Sequence, residues 1–383
     1  MILYQSKFKN IHYFAKIKKM KPLLKILLFP VCLIYGVAVW VRNKLFDWGI
    51  FSSKEFAIPT ISVGNLSMGG TGKTPHVEYL INLLKDQFSL ATLSRGYKRK
   101  TSGFVTANAN TSFLDIGDEP AQYAYKHKDI IVAVDENRVR GITKLESENP
   151  DLDIIILDDA FQHRYIKPGI NILITDANAL YIDDYPVPCG RLREFRRGAQ
   201  RADIIIVSKT SKILSPIDKR RIEEEINPLP HQKVFFSYLE YEPLTPVNKK
   251  AAENNLSPTE SSVLLITGIA NPSPLLYKLK REFKDVKHIP FPDHHIFTES
   301  DIQKILQEFK DFYGNNKIII TTEKDLMRLS LPEIIGNFDN IPLYYQPVRV
   351  VFHGNDEKEF NEEILKYVTA NSRNSVLLKD KNK

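Results

Sequence analysis

Apolar positions along the chain fall into short continuous runs separated by amphipathic stretches. The runs at 90–93, 129–134, 153–157, 170–175 and 202–207 are rich in Ile and Val and lack polar alternation. Strands covered on both faces have this pattern. Between them, Val77, Leu80, Ile81 and Leu84 recur at i, i+3, i+4 and i+7, the stripe of a helix. Residues 138–145 predict a second helix, and residues 104–107 a hairpin or edge strand. Strands alternating with helices predict an α/β fold with a parallel sheet. The breaker Asn227-Pro228-Leu229-Pro230 ends this unit. An extended stretch at 233–241 and the polar residues 245–260 follow. A second alternation then predicts strands at 263–267, 288–291 and 317–321 and helices at 274–283 and 300–312. Residues 341–352 predict one long extended segment, which would pair with 233–241 as a two-stranded bridge.

The N-terminal region breaks the pattern. Residues 26–41 carry no charge, with Lys16, Lys18, Lys19, Lys21 and Lys25 before them and Arg42 and Lys44 after. A membrane-spanning helix needs about 20 apolar residues. This run is shorter, and Pro30 interrupts it. Trp40-Val41-Arg42-Asn43 is a poor signal-peptide cleavage site. The expectation is a helix lying in the membrane interface with its lysines at anionic head groups. Single-pass insertion and a buried core helix are the alternatives.

Charge sharpens this picture. The 383 residues carry a net charge of +7, yet residues 1–46 hold nine Lys/Arg and no acid, leaving 44 basic against 46 acidic residues elsewhere. The basic excess is therefore a membrane signal, and no nucleic-acid partner is expected. Cys32 and Cys189 form neither a disulfide framework nor a metal-ligand spacing, which suits a reducing compartment.

Candidate chemistry begins at Ser62-Val63-Gly64-Asn65-Leu66-Ser67-Met68-Gly69-Gly70-Thr71-Gly72-Lys73-Thr74. A strand, a glycine-rich turn and Gly-Lys-Thr at a helix start make a phosphate-binding loop. Ser67, Met68, Gly69, Gly70, Thr71 and Gly72 would wrap a triphosphate with backbone N–H groups. Lys73 would reach the outer phosphates, and the Thr74 hydroxyl would hold Mg²⁺. The strict motif wants glycine where Ser67 stands, so a turn that binds nothing is the alternative. ATP is favoured over GTP, because Val207-Ser208-Lys209-Thr210 lacks the following Asp of a guanine-reading pocket.

Asp158-Asp159 closes an apolar strand, where such enzymes place carboxylates for Mg²⁺; two acids in solvent are the alternative. Gln162 and His163 follow at the sheet edge where ligands bind. Arg191, Arg193, Arg196 and Arg197 suit an anionic group or a solvated face. Phe291-Pro292-Asp293-His294-His295 has three readings: a metal-phosphoesterase motif, a structural loop, or a site histidine brought to the phosphate loop by domain closure. Thr322-Glu323-Lys324-Asp325 would line the same cleft.

In order along the chain, these segments, with Ser94-Arg95-Gly96-Tyr97, Gly117-Asp118-Glu119-Pro120 and Gly190-Arg191-Leu192-Arg193-Glu194, resemble the tetraacyldisaccharide 4′-kinase (lipid A 4′-kinase) family. The resemblance covers roughly residues 20–330. It implies transfer of the ATP γ-phosphate to the 4′-hydroxyl of a lipid A precursor, tetraacyldisaccharide 1-phosphate, giving lipid IVA. It implies two α/β/α domains joined by a two-stranded linker, with an N-terminal helix on the anionic surface of the inner membrane. The expected division is 1–46 for the membrane segment, 47–230 for the P-loop core, 231–260 for the linker, 261–340 for the smaller α/β domain, 341–370 for a returning strand and C-terminal helix, and 371–383 for a tail. The chain would sit peripherally on the cytoplasmic face, its N-terminal segment controlling membrane partition more than chemistry. A P-loop switch protein or metallochaperone is the alternative class.

The resemblance places the catalytic aspartate at Asp118. His294 would orient it as a dyad alongside Lys73, and domain closure would assemble the pair, leaving it apart in a ligand-free protein. ATP and Mg²⁺ are the expected cofactors, with Thr74, Asp158 and Asp159 at the metal. Tyr97, Glu119, Gln162, His163, Arg191 and Arg193 are the expected substrate contacts.

Overall fold

A computed structural model of the chain describes residues 22–108, 111–314 and 316–372. The basic residues up to Lys21 and the tail from 373 lie outside the described residues. Eight strands come first: β1 (Thr60–Gly64), β2 (Leu90–Ser94), β3 (Val105–Thr106), β4 (Ile131–Val134), β5 (Ile154–Asp158), β6 (Ile170–Asp176), β7 (Ile204–Ser208) and β8 (Lys233–Tyr241). Next come β9 (Thr245–Pro246), β10 (Ser262–Thr267), β11 (Asp285–Pro290), β12 (Lys317–Thr322) and β13 (Leu343–Gln346), then β14 (Val348–Phe352). The larger sheet has the order β14-β8-β7-β6-β1-β5-β2-β4-β3, and the smaller one β11-β10-β12-β13-β9. Strands β8, β7, β6, β1, β5, β2 and β4 run parallel, and β3 and β14 are antiparallel edges.

The main helices are α1 (Pro22–Asp47), α2 (Lys73–Leu84), α3 (Asp118–Lys126), α4 (Arg138–Glu148), α5 (Pro216–Ile226), α6 (Ser273–Glu282), α7 (Glu299–Asp311), α8 (Glu323–Leu329) and α9 (Asp356–Asn371). Pleating sends Ile154 and Ile156 of β5 to one face, against Val77, Leu80, Ile81 and Leu84 of α2. Ile155 and Leu157 go to the other, against Ile142 and Leu145 of α4. All four strand residues are buried, each worth roughly 1.5–3 kcal/mol. Removing one, as in Ile156→Ala, would cost about 2–5 kcal/mol.

The 341–352 stretch is two strands on different sheets. Leu343–Gln346 pairs with β12, and Val348–Phe352 pairs with Ser237 to Tyr241 of β8. Pro347, which has no N–H, separates them. Residues 233–241 also pair with β7, so they belong to the larger sheet. The polar stretch 245–260 is not a free linker: Thr245 and Pro246 pair with Tyr345 and Tyr344. Its interspersed Val247, Ala251 and Leu256, with Leu244 just before it, pack into the smaller sheet's cores.

Helix α1 continues through Pro30, whose missing N–H removes only one helical bond. Within it, Leu27–Asp47 is long and apolar enough to cross a membrane by length and composition. It is not a core helix: Leu27, Phe29, Ile34, Val37 and Trp40 are exposed, while Cys32 and Phe46 are buried. Its docked side fits the loop before β7. Tyr35 donates to the Arg193 carbonyl at 2.8 Å, and Asn43 Nδ2 to Glu194 Oε2 at 2.7 Å.

Candidate functional site

The site lies where β1 and β5, being parallel, end at the same edge. A Cβ on Gly64 would stand 2.6 Å from Phe161 Cβ and 2.9 Å from its backbone N. Glycine therefore lets the loop after β5 sit on the end of β1. The glycine loop then runs to Gly72, left-handed with φ 98, and α2 starts at Lys73. A short pairing ties the loop to the arginine-rich segment: Met68 N donates to Arg191 O and Arg193 N to Leu66 O, both at 2.7 Å. Asn65 Nδ2 donates to Thr71 Oγ1 at 2.8 Å. The Thr71 N–H is turned onto Gly69 O, so that donor must be released before it can meet an anion.

Lys73 Nζ stands 3.5 Å from Asp159 Oδ1, and Arg193 Nη1 stands 2.8 Å from the same oxygen. Burial would raise the Asp159 pKa, but Lys73 and Arg193 outweigh it and hold the group at about 2. Its neighbour behaves oppositely. Burial, then the Asp159 charge, pushes Asp158 up to about 6, and its Oδ2 accepts from Tyr123 Oη at 3.1 Å. Arg138, on α4, donates to the Asp158 carbonyl at 3.3 Å and leaves its buried Nε without a partner.

Tyr123 belongs to α3, which begins at Asp118. Asp118 Oδ2 accepts from His294 Nδ1 at 2.7 Å and from Arg328 Nε at 3.1 Å and Nη2 at 2.5 Å. Burial opposes the charge, yet His294 and Arg328 hold the carboxyl well below the ordinary range. The start of α3 favours the anion too. Beside this pair, Tyr97 sets its ring edge-on to His294, centroids 5.6 Å apart, and Glu119 bonds Lys324 Nζ at 2.6 Å.

The expected residues are thus partly gathered. Lys73, Asp158, Asp159, Gln162 and Arg193 share one cluster, with Gln162 donating to Asn65 O at 2.9 Å and Glu194 at 3.1 Å. Asp118, Glu119, His294 and Tyr97 form a second. Arg191 turns away, ion-paired with Asp184 at 2.9 Å in its own loop. His163 leaves Nε2 buried and unpartnered, its pKa pulled down to about 4 by burial and then by Arg138 and Arg42. His295 bonds Asp301 at 2.9 Å, away from His294's partner, so the Asp-His-His run is not a joint metal set. Among the described residues, no group of three or more His, Cys, Asp or Glu stands where it would hold a metal.

The Asp118–His294 pair stands at hydrogen-bond distance, Arg328 bonds the same Asp118 oxygen, and Lys324 and Glu119 tie α8 to α3. Helix α1 is also part of the site's support, since Asn43 reaches buried Glu194, which Gln162 and Arg201 also contact. Arg328 was missed, although it lies three residues beyond Asp325 on the same helix. That spacing was the available signal.

Comparisons with known proteins identify what the whole chain is similar to. The family model for Tetraacyldisaccharide-1-P 4′-kinase matches residues 24–369. The chain is 47% identical over 359 residues to Tetraacyldisaccharide 4′-kinase of Parabacteroides distasonis, covering 92% of this chain and 97% of that one. It is 45% identical over 358 residues to the namesake protein of Bacteroides thetaiotaomicron, covering 91% and 94%. A solved structure of LpxK from Aquifex aeolicus in complex with ATP aligns with TM-score 0.68 and 27% identity, over 90% of this chain and 99% of that one. The chain belongs to the tetraacyldisaccharide-1-P 4′-kinase family.

Proposed function

We propose that the chain transfers the γ-phosphate of ATP to the 4′-hydroxyl of a tetraacylated glucosamine disaccharide 1-phosphate, forming lipid IVA. The observation that carries this reading is one continuous contact path. Lys73 and Asp159 meet at the glycine loop, and Asp118 and His294 meet at the start of α3. The Tyr123–Asp158 bond joins the two pairs.

Phosphoryl transfer needs positioning and electrostatic stabilisation more than covalent help. The start of α2 and Lys73 hold the phosphates. Both His294 and Arg328 bond Asp118 Oδ2, leaving Oδ1 for the sugar hydroxyl. As the new O–P bond forms and the bond to the β-phosphate breaks, the hydroxyl proton passes to the Asp118–His294 pair. In a loose transition state that proton leaves late, so a weakly basic carboxylate suffices. Thr74, Asp158 and Asp159 are an all-oxygen donor set, with Thr74 in the first turn of α2 and the two adjacent carboxylates at the end of β5. That fits Mg²⁺, which when bound would neutralise charge on the β- and γ-phosphates. The exposed apolar side of α1, with Trp48, Ile50 and Phe51 beyond it, suits a peripheral position on the cytoplasmic face of the inner membrane.

The test is label transfer from γ-labelled ATP to tetraacyldisaccharide 1-phosphate in mixed micelles. Labelled lipid should form, and Lys73→Ala and Thr74→Ala should abolish it. Label released only as inorganic phosphate, with the lipid unlabelled, would overturn the reading.

A further inference from the structure

The glycine loop has two sides, and only one has been assigned. Lys73 leans toward Asp159 at the end of β5, and Asp118 lies beyond it on that side. A triphosphate whose last phosphate faces β5 must leave the loop in the other direction. In the order β7-β6-β1-β5, that direction leads over Gly70 to the ends of β6 and β7.

Lys209 stands there, directly after β7. Its Nζ donates to Gly70 O and, at 3.0 Å, to Asp176 Oδ2 at the end of β6. Its carbonyl accepts from Asn178 Nδ2 at 3.3 Å, and Asn178 is itself held by Asp176 through its backbone N at 2.9 Å. Lys209 has φ 60, left-handed for a side chain that disfavours it. Such a conformation persists where the surroundings over-determine it, often at ligand clamps. Next to it, Ser208 Oγ is fully buried without a hydrogen-bond partner, and a Cβ on Gly72 would meet it at 2.9 Å. A Cβ on Gly69 or Gly70 would meet nothing within 4 Å, so the space over the loop is open. The Lys209 side chain is 32% exposed. It is a partly open methylene stem, tied at its tip to the loop.

We propose that Lys209 is a nucleoside-positioning residue: its stem floors the base and ribose of ATP, and its ammonium, bonded to the Gly70 carbonyl, anchors that stem to the loop. Lysine stems commonly cover apolar faces while the charged head stays solvated or paired. Asp176 holds the ammonium and Asn178 the backbone carbonyl, so both ends of the stem are fixed. This inference rests on the phosphate-loop reading above, and its test separates the two.

The test compares calorimetric Kd values of the full chain for ATP and for inorganic tripolyphosphate, which has no nucleoside. Lys209→Gly is the principal variant, because glycine accepts φ 60 and the fold is kept. ATP should bind about tenfold more weakly, the worth of about two methylenes covered by the base. Tripolyphosphate should change less than about threefold. Lys209→Met, which keeps the stem and loses the charge, should lose less ATP affinity than Lys209→Gly. Unchanged ATP binding in Lys209→Gly, equal losses for both ligands, or identical behaviour of the two variants would overturn the proposal. Wild-type protein that bound neither ligand would instead remove the phosphate-loop reading beneath it.

Discussion

Arg328 donates through both Nε and Nη2 to one oxygen of Asp118, 210 residues away in sequence, while its Nη1 bonds Asp325 at 2.7 Å. The Arg328 side chain is 1% exposed, so one buried cation holds two carboxylates from different helices, Asp118 of α3 and Asp325 of α8. Breaking such a set leaves uncompensated charge, so Arg328→Met should destabilise the protein by about 3–5 kcal/mol. The pH sign follows from the depressed Asp118 pKa: its stabilising contribution is complete above the unfolded value of about 3.9 and fades as pH falls through the folded one. In Arg328→Met the folded Asp118 pKa moves back towards the unfolded one, so the loss of stability below about pH 3.9 should be smaller than in the wild type. Urea unfolding from about pH 2 to about pH 7 measures both effects. A wild-type stability profile in the variant would dismiss the clamp.

The Asp118–His294 hydrogen bond predicts non-additive losses. Asp118→Ala and His294→Ala should each lower turnover by at least ~10²-fold. The double variant should lose far less than the product, because residues acting as a unit are not additive. ATP affinity should change little in all three. Fully multiplicative losses would assign the two side chains separate roles.

Lys126, at the end of α3, bridges Glu78 of α2 at 2.7 Å and Glu323 of α8 at 2.6 Å. Two buried acids share one cation, and Glu323 is pushed up to about 7 by burial first and by Glu78 next. A raised folded pKa gives stability that is full below the unfolded value and lost as pH rises through the folded one. Thermal midpoints of the wild type should therefore fall relative to Glu323→Gln between about pH 5 and pH 8. Parallel midpoints across that range would place the proton elsewhere.

Removing residues before 45 should reduce chemistry as well as membrane binding. The cut takes away Tyr35 and Asn43, which hold the Arg193 carbonyl and Glu194, and Arg193 is the nearer cation on Asp159. Turnover of a short-acyl, water-soluble acceptor should drop at least about tenfold, since small misplacements cost large factors. Full activity on that acceptor would restrict α1 to membrane attachment.

Local signals alone carried the repeating architecture. The Ile-rich run at 153–157, the stripe from Val77 to Leu84, the glycine loop and the helix start at Asp118 depend on neighbours within a few residues. The partners of charged groups did not follow from such signals. Four arginines in 191–197 look alike in sequence. Yet Arg191 is spent on Asp184, Arg193 reaches Asp159, and Arg196 donates to the Asp184 carbonyl. Glu194, beside them, is a buried anchor. Arg328 gave only its helical spacing from Asp325, because Asp118 becomes its partner only when α3 and α8 pack. The chain itself determined which elements form, through periodicity and backbone chemistry. Which charge meets which was decided by tertiary packing, since burial and distance, not residue type, set the strength of an ion pair.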